Sequence, residues 1–317
     1  MNIPAAIIAV LMAALAVTGY AQTPIAARAT PPSPAKSASV AGSKPVPFTV
    51  KVEGKGRPMI LIPGLSSSGA VWDETVVRFR DRYQTHTLTL AGFAGVAPLD
   101  LAPGKFLDTI ANAIAAYIRE KKLDKPILVG HSLGGFLVYQ LALNEPSLIG
   151  SGVAVDGLPS LAALVTPTGA AEQFKHQGEQ WMRVPMESAR RDQFDARARQ
   201  MVSTWLEDKS RADLVNAWGA ASDQKTVARA MGDLWSRDLR GALARLKTPI
   251  LLVGAPVGPP GVTREQMEQS YASQLTLAPV DLIKVVFAAK ARHFIMYDEP
   301  EWLWAEIDHF LADAATP

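Results

Sequence analysis

The chain has 317 residues, long enough for one large domain with an insertion, and its 48% apolar and 20% charged content describes a globular body with a sizeable core. A formal net charge of +2 without a basic stripe argues against a nucleic-acid partner, and the lack of any cysteine rules out disulfides, thiolate nucleophiles and Cys-based zinc sites. Chemistry must therefore rest on Ser, His, carboxylates or backbone amides.

The chain opens with an apolar run, Ala5 to Val17, followed by Thr18-Gly19-Tyr20-Ala21. The run is too short to cross a bilayer comfortably and fits the core of a secretory signal, with Gly19 and Ala21 as the small residues before cleavage. Residues 1–21 read as a signal peptide, with an uncleaved anchor as the rival reading and export to the periplasm or medium as the implication. Residues 22–47 are rich in Ala, Pro, Ser and Thr, and cannot bury enough surface to offset their ordering entropy. They read as a tether, and the globular body is expected over 48–317.

In that body, Phe48–Glu53 and Met59–Ile62 read as strands around Gly54-Lys55-Gly56, Ala70–Asp81 as a helix and Thr85–Leu90 as a strand. Phe106–Lys121 has a helical apolar face at Ile110, Ile114, Ala115, Tyr117 and Ile118. Pro126–Val129 is a short apolar strand, and Phe136–Leu143 is a helix stopped by Asn144-Glu145-Pro146. Gly152–Val155, Pro249–Val253 and Leu282–Ala288 read as further strands, and Glu301–Ala312 as an amphipathic helix. The alternation predicts an α/β fold: a mostly parallel central sheet with helices on both faces. Between about Gly157 and Ala244 no strand-like run appears. Trp181, Met182, Met186, Phe194, Met201, Trp205, Leu206, Trp218, Met231 and Trp235 are scattered there among Arg, Asp and Gln. This segment is predicted to be a helical cap over the sheet's carboxyl edge; most of its aromatics hold the cap to itself, and some face inward.

Gly130-His131-Ser132-Leu133-Gly134 lies between a strand, Ile127-Leu128-Val129, and a helix opening at Gly135-Phe136-Leu137-Val138. So sharp a strand-to-helix turn holds Ser132 in a strained conformation and demands small neighbours, which Gly130 and Gly134 supply. It also sets the Ser132 hydroxyl at the sheet edge beside a helix N-terminus, where negative charge is favoured. This arrangement resembles the α/β-hydrolase fold family from about Phe48 to the C-terminus, with the cap matched least.

A serine alcohol needs a base within hydrogen-bond reach. The histidines of the body are His86 within a strand, His131 in the motif, His176 in the cap, His293 after the last strand and His309 on the terminal helix. The resemblance implies His293, in Lys290-Ala291-Arg292-His293-Phe294, because the family's histidine comes last in chain order. It implies an oxyanion hole from the backbone N–H of Leu133 and of Leu65, the latter in Pro63-Gly64-Leu65-Ser66-Ser67-Ser68. Pro63 stands where many members have histidine. The three serines could add hydroxyl donors, although a solvated loop is the simpler account.

The family most often keeps its carboxylate after the strand that here is Ile250-Leu251-Leu252-Val253, yet Gly254–Gly261 holds no acid. Its other location is the end of the strand before the cap, where Gly152-Val153-Ala154-Val155 ends in Asp156. Asp156 is therefore the expected acid, with Glu265 and Asp298 as alternatives, although Asp298 beside Pro300 suits a helix N-cap. The resulting expectation is a secreted serine hydrolase that cleaves carboxylic esters through an acyl-enzyme on Ser132. It needs no metal or organic cofactor, and the Trp- and Met-rich cap suits a small ester of apolar character. The same residues could act on an amide, lactone or carbon–carbon bond, and a lapsed hydrolase serving as a binding protein is the alternative of another class. Ser132 disfavours dehalogenase and epoxide hydrolase chemistry, which use Asp at that place.

Overall fold

The computed structural model describes residues 46–206, 208–258 and 261–313. The expected leader over 1–21, and all but the last two residues of the expected tether over 22–47, lie outside the described residues. The Pro47 carbonyl already accepts a hydrogen bond from Ala91 N–H at 2.9 Å.

Seven strands form one sheet: β1 Phe48–Glu53, β2 Arg57–Ile62, β3 Tyr83–Leu90, β4 Ile127–His131, β5 Ser151–Val155, β6 Ile250–Gly254 and β7 Ile283–Phe287. Their order is β1-β3-β2-β4-β5-β6-β7, with β1 antiparallel to β3 and every other pair parallel. The two strands flanking Gly54-Lys55-Gly56 are thus not partners of each other, because β3 lies between them. β2 is buried from Met59 to Ile62 and takes a central parallel place, whereas β1, half exposed, closes the edge.

Alternation along the strands divides the core in two. Ile60, Ile62, Leu88, Leu128, Ala154, Ile250 and Leu252 face α2 (Phe106–Glu120) and α3 (Leu133–Asn144). Met59, Leu61, Ile127, Val129, Val153, Val155, Leu251 and Val253 face the other side, packed on Val71, Trp72, Val76 and Phe79 and on Leu303, Ile307 and Phe310. The latter residues belong to α1 (Asp73–Phe79) with the 3₁₀ turn Gly69–Trp72 before it, and to the terminal helix Pro300–Asp313. The single helix expected over 70–81 is therefore a turn plus a shorter helix. The α3 helix begins three residues before the apolar run that marks it, and it is buried almost all round.

Between β5 and β6 the described residues form no strand. Among those residues five α-helices cap the sheet: α4 Ala171–Gln177, α5 Val184–Ser188, α6 Arg191–Trp205, α7 Ala212–Ala221 and α8 Gln224–Ser236, with a π-helical stretch, Gly178–Arg183, joining the first two. The cap has a core of its own, in which Phe174, Met182 and Trp235 are buried and Trp181 and Met231 pack against them. It is also bolted to the body. Asp233 of α8, 3% exposed, accepts from Leu107 N–H at 2.9 Å and so caps the start of α2, whose own preceding residue, Lys105, offers no side-chain cap. Arg237 links Asp233 to Asp108 of α2. No helix among the described residues is long and apolar enough to cross a membrane.

Candidate active site

Ser132 joins β4 directly to α3 with φ 53° and ψ −114°, a conformation that costs free energy for any residue with a Cβ. It is held there from both sides, by its N–H donating to Val155 C=O at 2.9 Å and its C=O accepting from Phe136 N–H at 3.0 Å. The turn closes only around glycine. A Cβ on Gly130 would lie 2.1 Å from Gly134 C=O, and one on Gly134 would lie 2.4 Å from Ile62 C=O.

The loop after β2 runs alongside this turn. A side chain on Gly64 would come within 2.9 Å of His131 Nδ1 and 3.2 Å of Ser132 Cβ, so the backbone leading into Leu65 passes against Ser132. Leu133 is the first residue of α3, on the other flank of Ser132. The serines of the loop have local tasks. Ser67 Oγ donates to Leu65 C=O at 3.2 Å, and Ser68 Oγ accepts from Ala70 N–H at 3.1 Å, capping the 3₁₀ turn. Ser66, at φ 56°, offers its carbonyl to Ser222 Oγ of the cap at 3.4 Å.

His293 lies between β7 and α10 (Ile295–Asp298), and its Nδ1–H donates to Asp156 Oδ2 at 2.5 Å. Its ring lies 4.6 Å from that of His131 and 5.0 Å from that of Trp205, at the end of α6 in the cap. His131 fixes the loop from below, its Nε2–H donating to His293 C=O at 2.9 Å. Burial, aided by the charge of His293, pushes His131 down to about 3, so it remains a neutral donor. Glu299 holds the loop from the other side by accepting from the N–H groups of Ala289, Lys290 and Ala291 at 3.2, 2.6 and 2.7 Å.

Asp156 immediately follows β5, at φ 48°, with its N–H donating to Val253 C=O at 2.8 Å. Its Oδ1 accepts from Ala255 N–H at 3.0 Å and from the Tyr271 hydroxyl. Burial works to raise this carboxyl, but the hydrogen bond and charge of His293, with the Tyr271 and Ala255 donors, outweigh it and hold it below the usual carboxylate range.

The alternative acids are elsewhere. Glu265 is exposed in the first turn of α9 (Arg264–Ser273). Asp298 ends α10 and spends its carboxylate on Arg292 N–H at 2.8 Å and Asp208 N–H at 3.0 Å. It is thus a clamp between the His293 loop and the cap rather than an N-cap, because the chain turns through Glu299 before the last helix begins. His86 bonds Tyr117 and Gln84, and His176 and His309 are exposed. The sequence reading missed Tyr271, Ala255 and Glu299. A signal for Tyr271's helix existed: Thr263 and Gln266 form a reciprocal capping box at the start of α9. Among the described residues no group of three or more His, Asp or Glu is disposed to hold a metal.

A serine at a strained strand-to-helix turn, on the edge of a parallel sheet and next to a His–Asp pair, defines a hydrolase-type scaffold. The alpha/beta hydrolase family model matches residues 59–306, and the chain belongs to that family. A curated relative, the pimeloyl-[acyl-carrier protein] methyl ester esterase of Aeromonas hydrophila subsp. hydrophila, is 26% identical over 280 residues, covering 83% of this chain and 100% of the relative. The enzyme of the same name from Aliivibrio salmonicida is 31% identical over 113 residues, 36% of this chain, and the match spans only 41% of that relative's length. Among solved structures, an esterase from Rhodococcus sp. ECU1013 superposes with a TM-score of 0.68 at 14% identity, over 84% of this chain and 95% of that one, a likeness of fold.

Proposed function

We propose that the chain is a serine hydrolase that cleaves carboxylic esters, with Ser132 as nucleophile, His293 as general base and Asp156 as the acid that orients it. The observation that carries the reading is the His293 Nδ1–H bond to Asp156 Oδ2 beside the Ser132 turn. That bond selects the tautomer in which Nε2 carries a lone pair, free to take the Ser132 Oγ proton. Oγ then attacks the ester carbonyl carbon, and the developing oxyanion is met by the N–H groups of Leu133 and Leu65. Collapse of the tetrahedral adduct expels the alcohol, which takes the proton from His293 Nε2 and leaves an acyl-enzyme. A water that gives its proton to Nε2 attacks the acyl carbon, and return of that proton to Oγ releases the acid.

The ester preference is supported by the relatives' names. Trp205 beside His293, with Phe294 3% exposed under it, favours a substrate of apolar character. The test is a panel of nitrophenyl esters, amides and lactones assayed with wild type and Ser132→Ala. Ester turnover lost in Ser132→Ala is expected; faster turnover of an amide or lactone replaces the ester reading with that bond.

We propose further that residues 48–317 act as the catalytic body, with a cap over about 157–244, exported behind a leader cleaved after Ala21. Mass analysis of the exported protein is expected to give a chain starting at Gln22. Full-length chain retained in the cytosol contradicts export.

A further inference from the structure

The histidine uses only one oxygen of the Asp156 carboxylate. The other, Oδ1, takes the Ala255 N–H at 3.0 Å and the Tyr271 O–H. A carboxylate is free to turn about its last torsion, which is broad and two-fold, unless donors fix its plane. Here they come from the strand end that lacks an acid and from the helix after it. Tyr271, on α9, is 3% exposed, and its ring meets that of Phe287 edge-on at 5.3 Å. Gly254 admits this packing: a Cβ there would lie 3.0 Å from the Tyr271 ring and closer still to Phe287. The ring is therefore clamped between the ends of β6 and β7, with its hydroxyl on Asp156.

We propose that Tyr271 is a positioning residue: with Ala255 N–H, its hydroxyl holds the Asp156 carboxylate so that Oδ2 is presented to His293 Nδ1. This rests on the reading of Ser132, His293 and Asp156 as the reacting unit. The titratable groups facing Asp156 are His293, Tyr271 and His131, with Tyr139 beyond Tyr271. Tyr271 is raised well above the ordinary phenol value, first by burial and then by the Asp156 charge, so it stays a donor at every working pH. Asp156 titrates as part of a coupled pair, and a donor lost from its Oδ1 disfavours the carboxylate.

Tyr271→Phe keeps the ring and removes the donor. The experiment measures kcat and KM on a nitrophenyl ester across pH, and the low-field proton resonance of the His293–Asp156 bond without substrate. We expect kcat to fall about tenfold with KM within about twofold, the acid limb of the rate profile to move to higher pH, and the resonance to shift. Phe79→Leu thins the core on the other face of the sheet, away from Tyr271; a lower melting temperature with an unmoved acid limb is expected. Wild-type values of kcat, acid limb and resonance in Tyr271→Phe overturn the proposal. So does a Phe79→Leu acid limb displaced as far as that of Tyr271→Phe. If wild type turns over no ester while the resonance still responds to Tyr271→Phe, the esterase reading falls and the positioning role stands.

Discussion

The carboxyl ends of β5 and β6 stand side by side, Val155 opposite Val253, and differ in what they offer His293. β5 runs into Asp156, whose backbone turns through a positive φ and whose carboxylate meets Nδ1. β6 runs into Gly254-Ala255-Pro256, with no acid, and contributes a backbone N–H to that same carboxylate. The acid at one strand end is thus held by a donor at the other, and in the proposed reaction the third member is set by reach and by its donors. Those hydrogen bonds are what make a buried charge tolerable there.

The largest effect is expected of Asp156→Asn. An amide in that place can offer N–H to Nδ1, stabilises the wrong tautomer and gives up the charge, so kcat is expected to fall about 10⁴-fold. A steady-state loss below about tenfold on a nitrophenyl ester moves the acid to another residue.

The next effect tests the strand on the other side, whose end is His131. Its folded value of about 3 lies below the ordinary 6.5, so between these pH values the unfolded chain binds a proton that the folded chain does not. The stability this provides is complete above pH 6.5 and is lost as pH falls toward 3. At the limit it amounts to roughly a few kcal/mol, at about 1.4 kcal/mol per pH unit. His131→Gln retains a donor for His293 C=O and cannot titrate. Melting curves at pH 7 and pH 4.5 are expected to show a smaller drop for His131→Gln than for wild type; equal drops contradict a buried neutral imidazole. His86, which burial also lowers, contributes in the same direction to both proteins.

The smallest effect belongs to Glu265, the first acid along the chain from β6. It is exposed at the start of α9, and Glu265→Gln is expected to leave kcat within about twofold of wild type, as surface substitutions do. A large loss would return the acid to the β6 side of the comparison.

The central strands β4, β5 and β6 were legible because they are short apolar runs buried on both faces, as in Ile127–Val129 and Ile250–Val253. The place of β1 outside β3 was not, since an edge pairing is chosen by tertiary contacts rather than by local pattern. At the site, the strained turn at Ser132 announced itself through the glycines it requires, and Asp156, as a candidate acid, through the empty tail of β6. Tyr271 and Glu299 did not. A phenol reaching a carboxylate 115 positions away, or a carboxylate gathering three amides of a loop, leaves no period in the sequence. The cap aromatics were a similar case: their composition marked a cap, but only the end of α6, held by Phe294 N–H donating to Trp205 C=O at 3.3 Å, singles out Trp205 as the ring beside His293.

The proposed reaction depends on Ser132 being an activated nucleophile. Its most direct measurement is stoichiometric labelling of the folded protein with a fluorophosphonate, followed by mass spectrometry of the modified peptide. One adduct is expected, on Ser132, absent in Ser132→Ala and formed much more slowly in Asp156→Asn. Folded wild-type protein that leaves Ser132 unmodified contradicts it.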